Sequence, residues 1–265
     1  MSPCPLRVYV ITEEDPFYLP EFFREFLPAL PRDRFDILGI DITPPLNQTS
    51  RRALARKLYG FYGGRDFARL LGRYAVARAL DLTAPRGMWC GTIDRLAGCH
   101  GIACDVVKNV NAPAYVDHLR RLAPDLLVSV AASQIFKPEL LSVPRLAAVN
   151  VHTGPLPRYR GMMPVFWQMY DRQKQISVTL HTMTPDIDLG KVLLRREVPL
   201  NGDRNLDEVI RKMKREGAQA LVELLERFHA GTVQAVAMDR SREHYHSFPG
   251  RAEAARFRLM GYRLV

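Results

Sequence analysis

Asn150 and His152 stand one residue apart at the end of an apolar run, in the stretch "NVHTGPLPRYRG" (150–161). Side chains alternate along a strand, so both point to the same side. One offers an amide N–H; the other is an imidazole that gains or loses a proton near neutral pH. Thirty-six residues beyond His152, the loop "TPDIDLG" (184–190) adds a carboxylate, Asp188. Beside the imidazole it would hold the ring in place and raise its protonated fraction. An amide donor, an imidazole and a carboxylate suit addition to a carbonyl, where charge grows on oxygen while an attacking amine loses a proton. No Ser or Cys belongs to this group, which points to direct transfer between two bound substrates rather than a covalent intermediate. Taken alone, an Asn-x-His pair is more often structural than catalytic.

The elements that must position these residues alternate between strand and helix. "LRVYVIT" (6–12) and "FDILGIDI" (35–42) are short apolar runs rich in β-branched residues, and "PFYLPEFFREFL" between them has helical spacing. "DLLVSVAA" (125–132) and "LAAVNVH" (146–152) are almost continuously apolar, as strands buried on both faces are. "MMPVFWQMYD" reads as a helix with Pro164 in its first turn, "SVTLHTM" and "KVLLRREVPL" as strands, and the stretch from Asn205 to Gly231 as a long helix. This alternation predicts an α/β, Rossmann-like fold: a mostly parallel twisted sheet with helices on both faces and a ligand beyond the carboxyl ends of the strands. Two parts fall outside the alternation. Residues 49–80 form an amphipathic helical insertion, broken at Gly63-Gly64, with a basic outer face. Residues 236–265 form a short C-terminal extension packed on a catalytic domain of 1–235.

Composition narrows the class. At 265 residues and 47% hydrophobic, the chain can bury a sizeable core. It has no long apolar run and no basic region ahead of an apolar one at its start, so a cytoplasmic location is expected. Cys4, Cys90, Cys99 and Cys104 show no zinc-ligand spacing. They are expected to be buried free thiols, and no metal is expected. Net charge is +10, and residues 51–80 hold eight Arg or Lys against one acid, Asp66, a local +7. Such a block fits a phosphate-bearing substrate, RNA or an anionic membrane surface, and fits a solvated helix face equally well.

In order and spacing, "PDLLVSVAASQIFKPELL", "NVHTGPLPRYRG", "SVTLHTMTPDIDLGKVLLRREVPL" and "DEVIRKMKREGAQALVELLERFHAGTV" resemble the formyltransferase family, closely over 122–234 and loosely before it. The family uses 10-formyltetrahydrofolate and includes glycinamide ribonucleotide, methionyl-tRNA and nucleotide-sugar formyltransferases. The resemblance implies that Asn150 and His152 polarise the formyl oxygen and stabilise the oxyanion. Asp188 would support His152 and assist proton removal. The backbone of Gln134, Ile135 and Phe136, with the loop Thr184, Pro185, Asp186, Ile187 and Asp188, would hold the pterin. His181 matches another family position, and Arg158, Tyr159 and Arg160 are candidates for binding an anionic substrate.

Departures from the family pattern bear on the acceptor. The purine branch calls for a Gly-rich phosphate loop after the first strand, where this chain has the acidic "ITEEDPFYLP". The tRNA branch carries a further C-terminal barrel, and about thirty residues after Gly231 are too few for one. The first reading is therefore an N-formyltransferase acting on a small, phosphorylated amine, foremost a nucleotide-linked amino sugar. The alternatives are a methionyl-tRNA-type enzyme whose insertion contacts RNA, and a catalytically silent folate-binding protein. Hydrolysis of the folate without an acceptor ranks lower, and a homo-oligomer is compatible with any of them.

Overall fold

The computed structural model describes residues 4–44, 51–83 and 91–265. Positions 1–3, 45–50 and 84–90, among them the first two residues of the insertion and Cys90, lie outside the described residues. In chain order the elements are β1 (Leu6–Glu13), α1 (Leu19–Ala29), β2 (Phe35–Thr43), α2 (Arg51–Thr83), α3 (Ile93–Cys99), β3 (Cys104–Val106), α4 (Pro113–Leu122) and β4 (Leu126–Val130). They continue as α5 (Pro138–Leu141), β5 (Ala147–His152), β6 (Arg160–Gly161), α6 (Pro164–Tyr170), β7 (Gln175–Thr182), β8 (Val192–Pro199), α7 (Leu206–His229), β9 (Tyr245–His246) and α8 (Arg251–Leu259).

Seven strands form one sheet in the order β3-β2-β1-β4-β5-β7-β8. The pairings from β3 through β5 are parallel, and β7 and β8 run antiparallel. The parallel part follows from the apolar runs: all five residues of β4 are buried, which requires cover on both faces. On one face, α1, α6 and α7 supply Phe22, Phe23, Phe26, Phe166, Met213 and Leu221. On the other, α4 and α5 cover Tyr9, Ile11, Leu127 and Ala148 with Val116, Leu119 and Leu140. Each large side chain buried this fully contributes about 1.5–3 kcal/mol. Gly217 lets α7 lie close to β5, since a Cβ there would come within 3.3 Å of Val151 Cγ1.

The insertion breaks where its glycines stand, at Gly63 with φ 69° and ψ 173°, a backbone conformation open mainly to glycine. Phe61, Tyr62 and Leu70 point into the core. Its outer face carries exposed cations, but not all of its arginines lie there. Arg73 reaches inward to Asp207 (3.0 Å), while Arg69 and Arg78 lie along the helix against Asp66 and Asp81. A long, flexible arginine can find a carboxylate beside or beneath its helix, while Arg52, Arg56, Lys57 and Arg65 stay exposed. The thiols differ too: Cys4 and Cys99 are exposed and Cys104 is half-buried. Cys4 sits near the start of the described chain and Cys99 at a helix end, while Cys104, on the edge strand, packs partly against the core.

Candidate active site

β5 delivers Asn150 and His152, and β7 pairs beside it so that Asn150 faces His181 and His152 faces Thr179. Directly paired residues share a face of the sheet, so the three polar side chains form one patch. The patch is dry, with His152 6% and His181 2% exposed. Asp188 reaches it by a route the sequence does not suggest. Because β7 is antiparallel to β5, the loop after β7 begins at the opposite end of β5, where Met183 N–H donates to the Ala148 carbonyl (2.8 Å). It then folds back over the sheet face rather than across the strand ends. Gly190 permits that fold, since a Cβ there would lie 1.6 Å from the Thr182 carbonyl oxygen. Asp188 itself has φ 55°, a left-handed conformation that costs a non-glycine residue about 1 kcal/mol.

Asp188 collects the site around one carboxylate. Oδ2 accepts from Gly161 N–H (2.8 Å), and Oδ1 lies 3.4 Å from Asn150 Nδ2 and 3.6 Å from both His152 Nδ1 and His181 Nε2. Burial alone would raise its pKa, but His152, His181 and the Gly161 N–H hold the carboxyl well below the usual carboxylate range. Asp188 is therefore ionised at neutral pH.

Hydrogen-bond logic fixes the tautomers. His152 Nε2 lies 2.6 Å from the Tyr159 carbonyl. A carbonyl only accepts, so Nε2 carries the proton and Nδ1 presents a lone pair when the ring is neutral. His181 Nδ1 donates to Thr182 O (2.9 Å), leaving Nε2 to accept from Asn150 Nδ2 (3.2 Å). Burial lowers the His152 pKa below the ordinary histidine value; Asp188 pulls it up by less than burial takes away. The carboxylate acts in the expected direction, toward a more protonated imidazole. Desolvation outweighs the carboxylate, and the resting ring is a neutral base with an anion 3.6 Å from its free nitrogen. Asn150 is also oriented differently from a simple oxyanion donor. One amide hydrogen is committed to His181, and the second leans over 3.4 Å toward Asp188.

The two stretches expected to hold a pterin meet beside this patch. Phe136 and Met183 belong to the same apolar cluster as Ala148. Gln134 spends its side chain on Val110 N and Lys108 O, and Asn111 takes the Ile135 carbonyl and Lys137 N. The backbone N–H groups of Gln134, Ile135 and Phe136 make no hydrogen bond among the described residues. In the other loop, Thr184 Oγ1 donates to the Asp186 carbonyl, while Ile187 is 39% exposed. Pro185 sits between them, with no N–H to donate.

The basic loop behind β5 separates its three candidates. Arg158 is exposed over the Tyr159 ring, and Arg160 donates to the Ile187 carbonyl (2.9 Å) and pairs with Glu243. Tyr159 is 1% exposed and its hydroxyl donates to Asp171 (2.7 Å). Its ring is core, and what it brings to the site is its carbonyl. That carbonyl and the Gly161 N–H are main-chain groups no side-chain motif announces. Gln168 is a further residue the sequence left unmarked: fully buried, it ties Thr153 O to Ser177 N. Among the described residues no group of His, Cys, Asp or Glu has metal-holding geometry.

A twisted α/β sheet with a dry Asn-His-His-Asp patch at its antiparallel edge defines a Rossmann-like protein with a candidate acid–base site. Residues 106–225 match the formyl transferase family model. A methionyl-tRNA formyltransferase from Geotalea uraniireducens is 37% identical over 136 residues, covering 51% of this chain and 44% of that protein. The chain spans about half the length of the curated relatives it matches. In fold it is similar to a sugar N-formyltransferase from Shewanella sp FDAARGOS_354 (TM-score 0.56, 17% identity, 92% of this chain, 77% of that one). It is likewise similar to an N-formyltransferase from Helicobacter canadensis in complex with folinic acid and dTDP-3-aminofucose (TM-score 0.55, 13% identity, 91% and 71%).

Proposed function

We propose that this protein is an N-formyltransferase that moves the formyl group of 10-formyltetrahydrofolate to a primary amine, and that the amine sits on a nucleotide-linked amino sugar. The observation that carries formyl transfer is the free Nδ1 of a neutral, buried His152 beside an ionised Asp188. As the acceptor nitrogen attacks the formyl carbon, Nδ1 takes its proton, and Asp188 stabilises the imidazolium that results. The protonated ring then has an N–H for the oxyanion, and as the intermediate collapses the bond from the formyl carbon to N10 breaks and that proton passes to N10 of the departing tetrahydrofolate. The Asn150 hydrogen that leans toward Asp188 is the one a substrate oxygen can take over, because its present bond is the longer. The folate fits the residues present: free N–H groups at 134–136 suit the polar edge of a pterin, and the partly exposed Met183 offers one of its faces an apolar contact.

The amino-sugar acceptor draws support from the Helicobacter canadensis relative, whose fold spans most of this chain. The acidic stretch Glu13, Glu14 and Asp15 at the end of β1 stands where a phosphate-cradling loop would be needed for a glycinamide ribonucleotide. A methionyl-tRNA acceptor is the second reading, favoured by the 37% identity to an enzyme of that name. One experiment separates them: the chain is incubated with 10-formyltetrahydrofolate and either amino-sugar nucleotides or charged initiator tRNA, and products are weighed by mass spectrometry. A gain of one formyl group on an amino-sugar nucleotide is expected. Formylation of the tRNA alone replaces that acceptor, and folate binding with no product from either substrate overturns formyl transfer to both.

A further inference from the structure

Six of the thirteen exposed large apolar side chains among the described residues lie on one element, α2. In its second half the exposed positions include Ala68, Leu71, Gly72, Ala75, Val76 and Ala79, at spacing i, i+3, i+4, i+7, i+8 and i+11. That is the spacing of a helix face that packs against something, yet here it faces away from the core. The buried line of the same helix is another one, with Leu70 in the core and Arg73 on Asp207. Leu71, Val76 and Leu82 are 52%, 60% and 73% exposed. Arginines flank the line, and the first half of α2 exposes Arg52, Arg56 and Lys57 without an acid among them. Over the whole of α2, eight basic residues oppose Asp66 and Asp81, a net of +6. Phe61, Tyr62 and Leu70 root both halves in one core, so both outer faces look away from it.

From this we infer that the outer face of α2 is an interfacial surface that lies on an anionic lipid bilayer. An exposed aliphatic line edged by arginines matches a membrane boundary: apolar side chains enter the acyl region while cations meet lipid phosphates. Charge decides among occupants. A second copy of the chain would bring the same exposed Arg52, Arg56 and Arg65 against themselves, and a nucleic acid would leave Leu71, Val76 and Leu82 without an apolar partner. No described helix is long and apolar enough to cross a membrane, so the contact is peripheral.

The test uses the full chain with phosphatidylcholine vesicles prepared with and without phosphatidylglycerol, and it does not depend on formyl transfer. Co-flotation with the anionic vesicles only is expected, weakening as salt rises. Leu71→Gln/Val76→Gln/Leu82→Gln keeps every charge and should reduce partitioning by about tenfold or more. Arg52→Glu/Arg56→Glu should reduce it comparably. All five positions are exposed, so both variants should melt with the parent, and circular dichroism checks this. Absence of flotation with anionic vesicles overturns the inference, as does a triple-Gln variant that floats like the parent. It is equally overturned if sedimentation shows a dimer, lost in the triple variant, that occupies the face instead.

Discussion

At the residue scale the site depends on how much burial a histidine and an aspartate share. Burial makes His152 a weaker base than free histidine, and Asp188 returns part of that basicity. Replacing Asp188 with Asn removes the charge and keeps the shape, so the imidazole pKa should fall further. The acidic limb of the kcat/KM profile should then move to lower pH while turnover drops by orders of magnitude. NMR titration of His152 in both proteins checks it; an unmoved pKa with unmoved turnover makes Asp188 a plain loop residue. Stability follows the same signs. The unfolded imidazole takes a proton near pH ~6.5 while the folded ring resists, so the His152 contribution is lost as pH falls below that value. The Asp188 contribution persists above the unfolded carboxyl pKa of about 3.9 and is lost as pH falls from there through its lower folded value. His152→Ala should abolish transfer and leave folate affinity within a few fold, and equilibrium binding alongside single-turnover rates separates the two.

At the element scale the β7–β8 hairpin is what brings a carboxylate to a histidine two strands of sequence away. Its tolerance is set at Gly190, where a methyl group would collide with the Thr182 carbonyl. Gly190→Ala should therefore destabilise by about 1–3 kcal/mol and cost activity by displacing Asp188. Gly98, inside α3, has nothing within 4 Å of an added Cβ. Gly98→Ala should gain up to about 1 kcal/mol with activity unchanged, and chemical denaturation of the pair measures the contrast. The C-terminal extension acts on the same site from behind. β9 pairs with β6, the strand whose Gly161 N–H holds Asp188, and His246 stacks between Tyr159 (5.3 Å) and Trp167 (4.9 Å).

At the scale of the whole molecule, the insertion is fastened by a polar hub as well as by its aromatic anchors. Asp207 at the start of α7 is 7% exposed and accepts from Arg73 of α2 (3.0 Å) and Arg211 (3.1 Å), while Arg211 also reaches Glu21 of α1. Asp207→Ala leaves two guanidinium groups without that partner and should cost about 1–3 kcal/mol, read as a lower urea midpoint at unchanged slope. An unchanged midpoint would assign the docking of α2 to Phe61, Tyr62 and Leu70 alone.

The sequence by itself determined the elements. Continuous apolar runs marked β1, β4 and β5; helical spacing between Asn205 and Gly231 marked α7; and Gly63-Gly64 marked the break in α2. These signals are local, a matter of one residue type recurring at a fixed interval, and they survive in a one-dimensional reading. Asn150 and His152 were legible for the same reason, since two positions on one strand must share a side. Only the tertiary structure decided what surrounds them. The direction of β7 sends Asp188 over the sheet face, main-chain groups of Tyr159 and Gly161 complete the hydrogen bonds, and burial keeps the imidazole a neutral base despite the carboxylate beside it. It also placed Arg69, Arg73 and Arg78 against acids of α2 and α7, beside an exposed apolar line. Main-chain partners, desolvation and the reach of a side chain across helices depend on what lies near in space, and sequence spacing carries none of that.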